Sequence, residues 1–266
     1  MAKKKVVIFL VEGFSEINAL GSPFESIFKV QKYHGKECIV RFGRMKNSRY
    51  YRDPGGDITG EKDVNVHNIK KRIVDWMIKP LLIDFYAEDI EEVIHIVDMD
   101  GAYIPLENIV PQIKKGEKRV TYEDGKIFAC FPEDVKERND RKSKNLDFLQ
   151  TVTTIEIKHT IRSYRPKGKG ERHSTVVPYS VYYFSSNLDH YIHHDANMMN
   201  CDKARQAGKF GNRCSKNMDF FYKTFIQDPD SVCDGTYKDS WEFIKTSINS
   251  VERHTNIGIF INTLKQ

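Results

Sequence analysis

The seven residues Lys5-Val-Val-Ile-Phe-Leu-Val11 constrain this chain more than any other feature. Six consecutive positions are apolar, and the run stops at Glu12-Gly13. Strict alternation would mark a strand with one wet face. An unbroken apolar run flanked by charge instead suits a strand covered on both faces, as in a parallel sheet between helices. A second such run, Glu92-Val-Ile-His-Ile-Val97, ends in Asp98-Met99-Asp100-Gly101. Between them, Cys38 to Phe42 reads as another strand. A helix is expected from Ser15, with Ser15 as its N-cap and Gly21 and Pro23 breaking it in two. The apolar positions Val66, Ile69, Ile73, Trp76, Met77 and Leu81 recur at three and four residues, which predicts a helix within 64–86 that kinks or ends at Pro80. This alternation of strand and helix predicts an α/β fold with a doubly wound parallel sheet.

Composition removes competing classes. The 266 residues are 39% hydrophobic and 12% aromatic, enough for a sizeable core. Val6 to Val11 is the longest aliphatic or aromatic run, too short for a membrane span, so no membrane partner is expected and Lys3-Lys4-Lys5 reads as a strand flank. The five cysteines (38, 130, 201, 214 and 233) are scattered and contain no C-x-x-C pair, which points to reduced thiols and a cytoplasmic protein. A zinc site from His190, His193, His194, Cys201 and Cys214 matches no regular ligand spacing.

The charge, 42 Lys+Arg against 37 Asp+Glu for a net +5, is unevenly distributed. Arg41, Arg44, Lys46, Arg49 and Arg52 fall in one stretch with Tyr50 and Tyr51 and no anion. Lys158, Arg162, Arg165, Lys167, Lys169 and Arg172 fall in another, opposed only by Glu171. Cations that neutralise phosphates, interleaved with tyrosines that stack on bases, are the pattern of a nucleic-acid grip; a solvated basic loop is the alternative.

Further along, Val120 to Phe128 reads as a hairpin turning at Asp124-Gly125. Residues 132–150 are charged and helix-compatible, and 151–161 and 176–184 read as strands. Helices are expected from Leu188 onward, through 204–210, 218–226 and 240–251. Trp76 and Trp241 sit at core spacing.

In an open α/β sheet, ligands bind at the carboxyl ends of the strands. Glu12 follows the first strand; Asp98 and Asp100 follow the third and, in extended geometry, point to one side. Carboxylates converging there repel unless a cation lies among them, and hard oxygen donors select Mg²⁺ or Mn²⁺. Glu16, one helical turn after Glu12, extends the set.

Val11-Glu12-Gly13-Phe14-Ser15-Glu16, followed some eighty residues later by Val93-Ile-His-Ile-Val-Asp98-Met-Asp100-Gly101, resembles the TOPRIM domain of topoisomerases, primases and several nucleases. The Glu-Gly-x-x-Glu form is most similar to the nucleases of overcoming-lysogenization-defect proteins and to small TOPRIM effectors of phage defence. The motifs cover residues 3 to 100. The resemblance implies a TOPRIM fold over 1–195 with an insertion at about 111–175 and a helical extension over 196–266 packed on it. It implies that Glu12, Asp98 and Asp100 are catalytic and, with Glu16, bind Mg²⁺ or Mn²⁺ for phosphodiester cleavage of RNA such as tRNA, or of DNA.

Family members also carry a Ser-x-Glu pair and a distant lysine. Thr121-Tyr122-Glu123 offers Glu123 for the first; Lys203 and Lys209 are candidates for the second. Asp189 and His190 follow a strand end and are further candidates. The chain lacks the G-x-x-x-x-G-K-[ST] phosphate loop, so an ABC- or AAA-type ATPase, or a retron component, would be a separate partner. Homo-oligomerisation is left open. A non-catalytic nucleic-acid-binding or scaffold subunit is the competing expectation, and a nucleotidyl-transfer enzyme using the same metal site is a third.

Overall fold

The protein is described from a computed structural model covering residues 4–45, 56–112, 120–161, 171–232 and 234–265, with backbone alone for 160–161 and 171–172. The elements run β1 (Lys5–Val11), α1 (Phe14–Val30), β2 (Cys38–Arg44), α2 (Ile69–Ile73), β3 (Ile90–Asp98), β4 (Ile109–Pro111), β5 (Val120–Glu123), β6 (Lys126–Ala129), α3 (Pro132–Leu149), β7 (Thr154–Ile161) and β8 (Glu171–Phe184). The helices α4 (Leu188–His193), α5 (Asn200–Lys216), α6 (Met218–Tyr222), α7 (Tyr237–Ile244) and α8 (Ile257–Thr263) follow.

The main sheet has the order β2-β1-β3-β8-β7; β2, β1, β3 and β8 are parallel, and β7 runs antiparallel at the edge. The central β1 is buried throughout Val6–Val11, as its unbroken apolar run requires. One face of the sheet packs on α1, α5, α6 and α8, through Phe24, Phe210, Phe221 and Phe260. The other packs on the segment from Ile69 to Ile78 and on α3 and α7, through Ile73, Met77, Leu146, Leu149 and Trp241. The architecture is therefore mixed α/β, a largely parallel sheet flanked by helices. A small second sheet, β4-β6-β5, holds the expected hairpin, with Asp124 (φ +48°) and Gly125 (φ +68°) both left-handed at the turn. Among the described residues no helix is long and apolar enough to cross a membrane.

Three expectations are corrected. Helix α1 is one piece from Phe14 to Val30 with Pro23 inside it. Proline in a helix interior costs about 3 kcal/mol, but Ala19, Leu20, Phe24, Ile27 and Phe28 are all buried, with Phe24 stacked on Phe9 at 4.3 Å, and that packing outweighs the lost bond. Its N-cap is Gly13, not Ser15; Glu16 Oε2 accepts from Gly13 N–H at 2.8 Å. The helix expected over 240–251 ends at Ile244: Asn249 donates to the Phe243 carbonyl at 2.8 Å, and Ser247 turns left-handed at φ +53°.

Candidate active site at the β1–β3 crevice

From β1 the chain crosses to β2 on one side and later returns to β3 on the other, so the strand order reverses between β1 and β3. In open α/β sheets the crevice that binds ligands lies at such a reversal, at the carboxyl ends of the two strands. Glu12 leaves β1 and Asp98 ends β3, and the Asp98 N–H donates to Glu12 Oε1 at 3.0 Å across the crevice. Asp98 Oδ1 in turn accepts from Leu188 N–H at 3.1 Å, which docks the start of α4 on the same edge. Asp100 is not extended: its φ is +50°, with Gly101 beside it at +75°. A Cβ on Gly101 would stand 2.6 Å from Ile127 and Val251, so this turn requires glycine. The turn separates the two aspartates by partner: Asp98 faces α4, whereas Asp100 faces α3 and β5.

Helix α3 supplies what the strand ends lack. Arg138, Asn139, Lys142 and Asn145 occupy one inward stripe of it, where apolar residues stand above and below at Val135, Leu146 and Leu149. Lys142 is fully buried; its ammonium lies 2.9 Å from Asp57 Oδ2, 3.0 Å from Asp100 Oδ2 and 3.8 Å from Glu12 Oε1. Asp100 Oδ1 accepts from Tyr122 O–H at 3.2 Å, so both of its oxygens are engaged. Arg138 donates to the Asp100 carbonyl at 2.9 Å and Asn139 to the Gly101 carbonyl at 2.8 Å, which pins the left-handed turn. Asp57 is fixed by Thr59 N–H at 2.8 Å, and the Thr59 carbonyl accepts from Asn145 at 2.8 Å.

The opposite flank is built by α1, α4 and α5. Glu16 is buried in the first turn of α1. Asp189, its side chain 3% exposed, pairs through Oδ2 with Lys203 at 2.9 Å, while its Oδ1 is buried with no hydrogen-bond partner among the described residues.

The charges set the proton affinities. Burial, then the neighbouring Asp57, Asp100 and Glu16, push Glu12 well above the usual carboxylate range against the pull of Lys142. Burial and the charges of Glu12, Glu16 and Asp100 do the same to Asp98. Burial also raises Glu16, with Asp189 adding to it and the Gly13 N–H opposing. Asp100 goes the other way: against burial, Lys142 and Arg138 bring it down to about 2. Lys142 itself is raised, because Asp100, Asp57 and Glu12 together outweigh the cost of burying it. The flank holding Lys142 is thus charge-compensated, and the Asp98 flank is short of cations.

The structure brings Glu12, Glu16, Asp98, Asp100 and Asp189 to one sheet edge, as well as the distant lysine candidate Lys203. Lys209, on the same helix as Lys203, is exposed and its charge bears on Asp202. Glu123 is exposed at the end of β5; its neighbour Tyr122 is the residue that reaches Asp100. His190 bonds Ser186 Oγ through Nδ1; burial, Arg253 and His194 lower it to about 4. It lines a cavity of about 560 Å³ beside the site, together with Tyr122, Glu123, His194, Arg253 and His254. Among the described residues no three His, Cys, Asp or Glu side chains are drawn together as a ready-made chelate. Lys142 and Asp57 have no counterpart among the sequence candidates. The available signal was the interruption of an apolar helical stripe by Asn139 and Lys142.

The described ends of the two basic stretches lie on different edges. Arg44 ends β2 at the carboxylate edge, paired in register with Val11, and its guanidinium sits 3.9 Å above the exposed Phe14 ring. The chain that leaves there returns at Gly56, whose N–H donates to the Glu12 carbonyl at 2.9 Å. The intervening candidates Lys46, Arg49, Tyr50 and Arg52 lie outside the described residues, but both ends of their segment abut Glu12. Arg41, exposed on β2, bonds the Val40 carbonyl at 2.9 Å. Lys158, in contrast, lies on β7, paired with Ser174 and 3.5 Å from Glu156. Phe184 of β8 pairs with Asp98, and Glu171 is thirteen residues up that strand, about 43 Å away at ~3.3 Å per residue. The hairpin end bearing the second stretch therefore extends from the opposite edge. Arg162, Arg165, Lys167 and Lys169, and the side chain of Arg172, lie outside the described residues.

No known protein family, curated protein or solved structure matches the chain.

Proposed function

We propose that the chain is a nuclease of the TOPRIM type, dependent on Mg²⁺ or Mn²⁺, with its reaction centre in the β1–β3 crevice. The observation that carries the reading is the 3.0 Å bond from Asp98 N–H to Glu12 Oε1, which joins the two strand ends where an open α/β sheet takes its ligand. The donor set fits a hard divalent cation. It is all oxygen, it sets six carboxylates (Glu12, Glu16, Asp57, Asp98, Asp100, Asp189) against the cations Arg138, Lys142 and Lys203, and it contains the unpartnered Asp189 Oδ1. Glu12, Glu16, Asp98 and Asp189 would hold the ion. Bound there, it would supply Lewis-acid activation of water and neutralise phosphoryl charge.

The chain's own residues do the rest. Asp100 keeps Lys142 charged and fixed, so that a buried positive charge lies beneath the carboxylates where a phosphate would gather negative charge. The Arg44–Phe14 pair at the rim, with the basic segment that begins and ends beside Glu12, supports a grip on the nucleic-acid backbone. Tyr122 donates to the other oxygen of Asp100 and so holds that carboxylate in place. RNA such as tRNA is the first substrate to test and DNA the second. Control by a separate ATPase or retron component, as in defence effectors, is part of the same proposal.

The test is cleavage of tRNA and of plasmid DNA in Mg²⁺ and in Mn²⁺, with and without EDTA. Glu12→Gln and Asp98→Asn should abolish cleavage while circular dichroism and thermal midpoint show an intact fold. Undiminished cleavage by both variants would end the assignment. One observation favours the non-catalytic reading: Lys142 already neutralises Asp57 and Asp100 without an ion. On that reading the protein binds nucleic acid with a salt dependence that EDTA leaves unchanged, and cleaves nothing.

A further inference from the structure

The six carboxylates of the crevice divide according to the cations that face them. Glu12, Asp57 and Asp100 share the ammonium of Lys142, within 3.8, 2.9 and 3.0 Å, and Arg138 is bonded to the Asp100 backbone. Among the described residues Lys203 bears on Glu16, Asp98 and Asp189 and is paired with one oxygen of Asp189, while Lys142 acts on Asp98 only as the weakest of the influences on it. With every group ionised, the first set sums to −1 and the second to −2. Each set holds one buried carboxylate oxygen without a hydrogen bond among the described residues: Asp57 Oδ2, which has the Lys142 ammonium 2.9 Å away, and Asp189 Oδ1, in a side chain 3% exposed, whose cation Lys203 is paired with the other oxygen. An uncompensated buried carboxylate oxygen is costly unless a cation or donor reaches it. On the first side a cation already stands in that place, since a fully buried ammonium lies 2.9 Å from Asp57, 3.0 Å from Asp100 and 3.8 Å from Glu12.

We propose that Lys142 is a resident cation that closes the Glu12–Asp57–Asp100 side to metal, so that the site takes one divalent ion, on the Glu16–Asp98–Asp189 side. The inference rests on the nuclease reading for the presence of an ion, and goes beyond it in number and place. Three features of the fold support it. Lys142 sits on α3, held in place by Leu146 and Leu149 in the core and by the Asn139 and Asn145 bonds, so its ammonium is not a surface charge that leaves when an ion arrives. Both oxygens of Asp100 are engaged, by Tyr122 and by Lys142, which leaves neither for an ion on that side. Glu12 stands between the two sets, its Oε1 shared by the Asp98 N–H and, at longer range, by Lys142. The division also assigns different work to the two sides. An ammonium supplies positive charge to a phosphate but cannot make a hydroxide of a bound water, so water activation belongs to the Asp98 side alone.

The experiment is a titration of the full chain with Mn²⁺, read by electron paramagnetic resonance and by calorimetry, beside the cleavage assay. Wild type should bind one ion per chain. Asp189→Asn should weaken that ion at least tenfold, and Asp57→Asn should leave its affinity within about twofold. Lys142→Met, checked for folding, should bind a second ion. Two ions in wild type, with cleavage intact, would overturn this inference and leave the nuclease reading standing. One ion in wild type, with no cleavage of any nucleic acid, would do the reverse. One ion whose affinity is unchanged by Asp189→Asn would overturn its placement, and no bound ion would overturn the inference itself. Should Lys142→Met fail to fold, the wild-type stoichiometry and the Asp189→Asn comparison decide the question without it.

Discussion

Lys142→Met removes one charge from the middle of the molecule and keeps nearly the whole reach of the side chain. At an effective dielectric of ~20, a unit charge 2.9, 3.0 or 3.8 Å away contributes about 4 to 6 kcal/mol of attraction. The full sum is not lost, because the ammonium also regains hydration on unfolding and the carboxylates can escape repulsion by taking up a proton. Protonating an ordinary carboxylate costs about 4 kcal/mol at pH 7 and about 1.4 at pH 5, at 1.36 kcal/mol per unit. The expected destabilisation is therefore about 3–5 kcal/mol at pH 7, the range for stripping one partner from a buried ion pair, and about 1–2 kcal/mol at pH 5. The sign follows from Asp100. Its depressed pKa, about 2 in the wild type, contributes stability that is present above the ordinary carboxylate value and is lost as pH falls toward 2. The variant never has that contribution, so the two stability curves should converge in acid. Urea denaturation in EDTA at pH 7, 6, 5 and 4 measures it, with the m-value confirming a common transition. A destabilisation that stays constant from pH 7 to 4 would refute the reasoning, because it would mean that packing, not charge, was lost.

Other consequences follow from residues outside the Lys142 cluster. His95, buried and bonded to Tyr179 O–H at 2.8 Å, is lowered to about 4 by burial, so the unfolded chain takes up its proton first as pH falls from 6.5. Stability from this residue is full above pH 6.5 and declines by about 3 kcal/mol as pH falls to 4; His95→Gln should flatten that limb of a stability-versus-pH curve. On α5, a Cβ at Gly211 would stand 2.1 Å from the Asn18 carbonyl of α1, so Gly211→Ala should cost about 2–3 kcal/mol in urea denaturation. Gly208, on the same helix with nothing within 4 Å, should accept alanine with a gain of up to about 1 kcal/mol. Arg44→Ala should reduce the salt slope of nucleic-acid binding by about 1, whereas Lys158→Ala should leave cleavage of a four-nucleotide substrate unchanged, since ten residues of β8 separate Ser174, opposite Lys158, from Phe184, opposite Asp98, about 33 Å at ~3.3 Å per residue.

The backbone signals in the sequence were strong where one rule acted alone. The apolar runs at 6–11 and 93–97 became central strands because nothing but two-sided burial explains six apolar residues in succession, and the Asp-Gly pair at 124–125 made its hairpin because both positions needed positive φ. Reading failed where tertiary packing overrode a local preference. Pro23 argues for a break, yet five buried apolar side chains around it hold α1 straight. The extended geometry assumed for Asp98 and Asp100 failed because the strand ends at Asp98 and a left-handed turn follows, a geometry fixed by Arg138 and Asn139 from a helix forty residues away in sequence.

The same division runs through the site. That Glu12, Glu16, Asp98 and Asp100 gather at one sheet edge was legible because the strands they follow run parallel in one sheet, an inference needing only local sequence and sheet type. Lys142 and Asp57 were not legible, because a lysine among the charges of 133–147 looks like any solvated helix face until the sheet order sets α3 over the crevice. What separates Lys142 from its half-buried neighbour Lys136 and its exposed neighbour Lys144 is phase. Lys142 shares a stripe with Val135, Leu146 and Leu149, while the other two pair at the surface with Glu133 and Asp140. A lysine in phase with core residues is either forced out of the helix's packing or matched inside by anions. Here the anions come from a loop, Asp57, and from two strand ends, Glu12 and Asp100. The buried cation and the acidic crevice are one structural requirement: neither could be buried at this depth without the other.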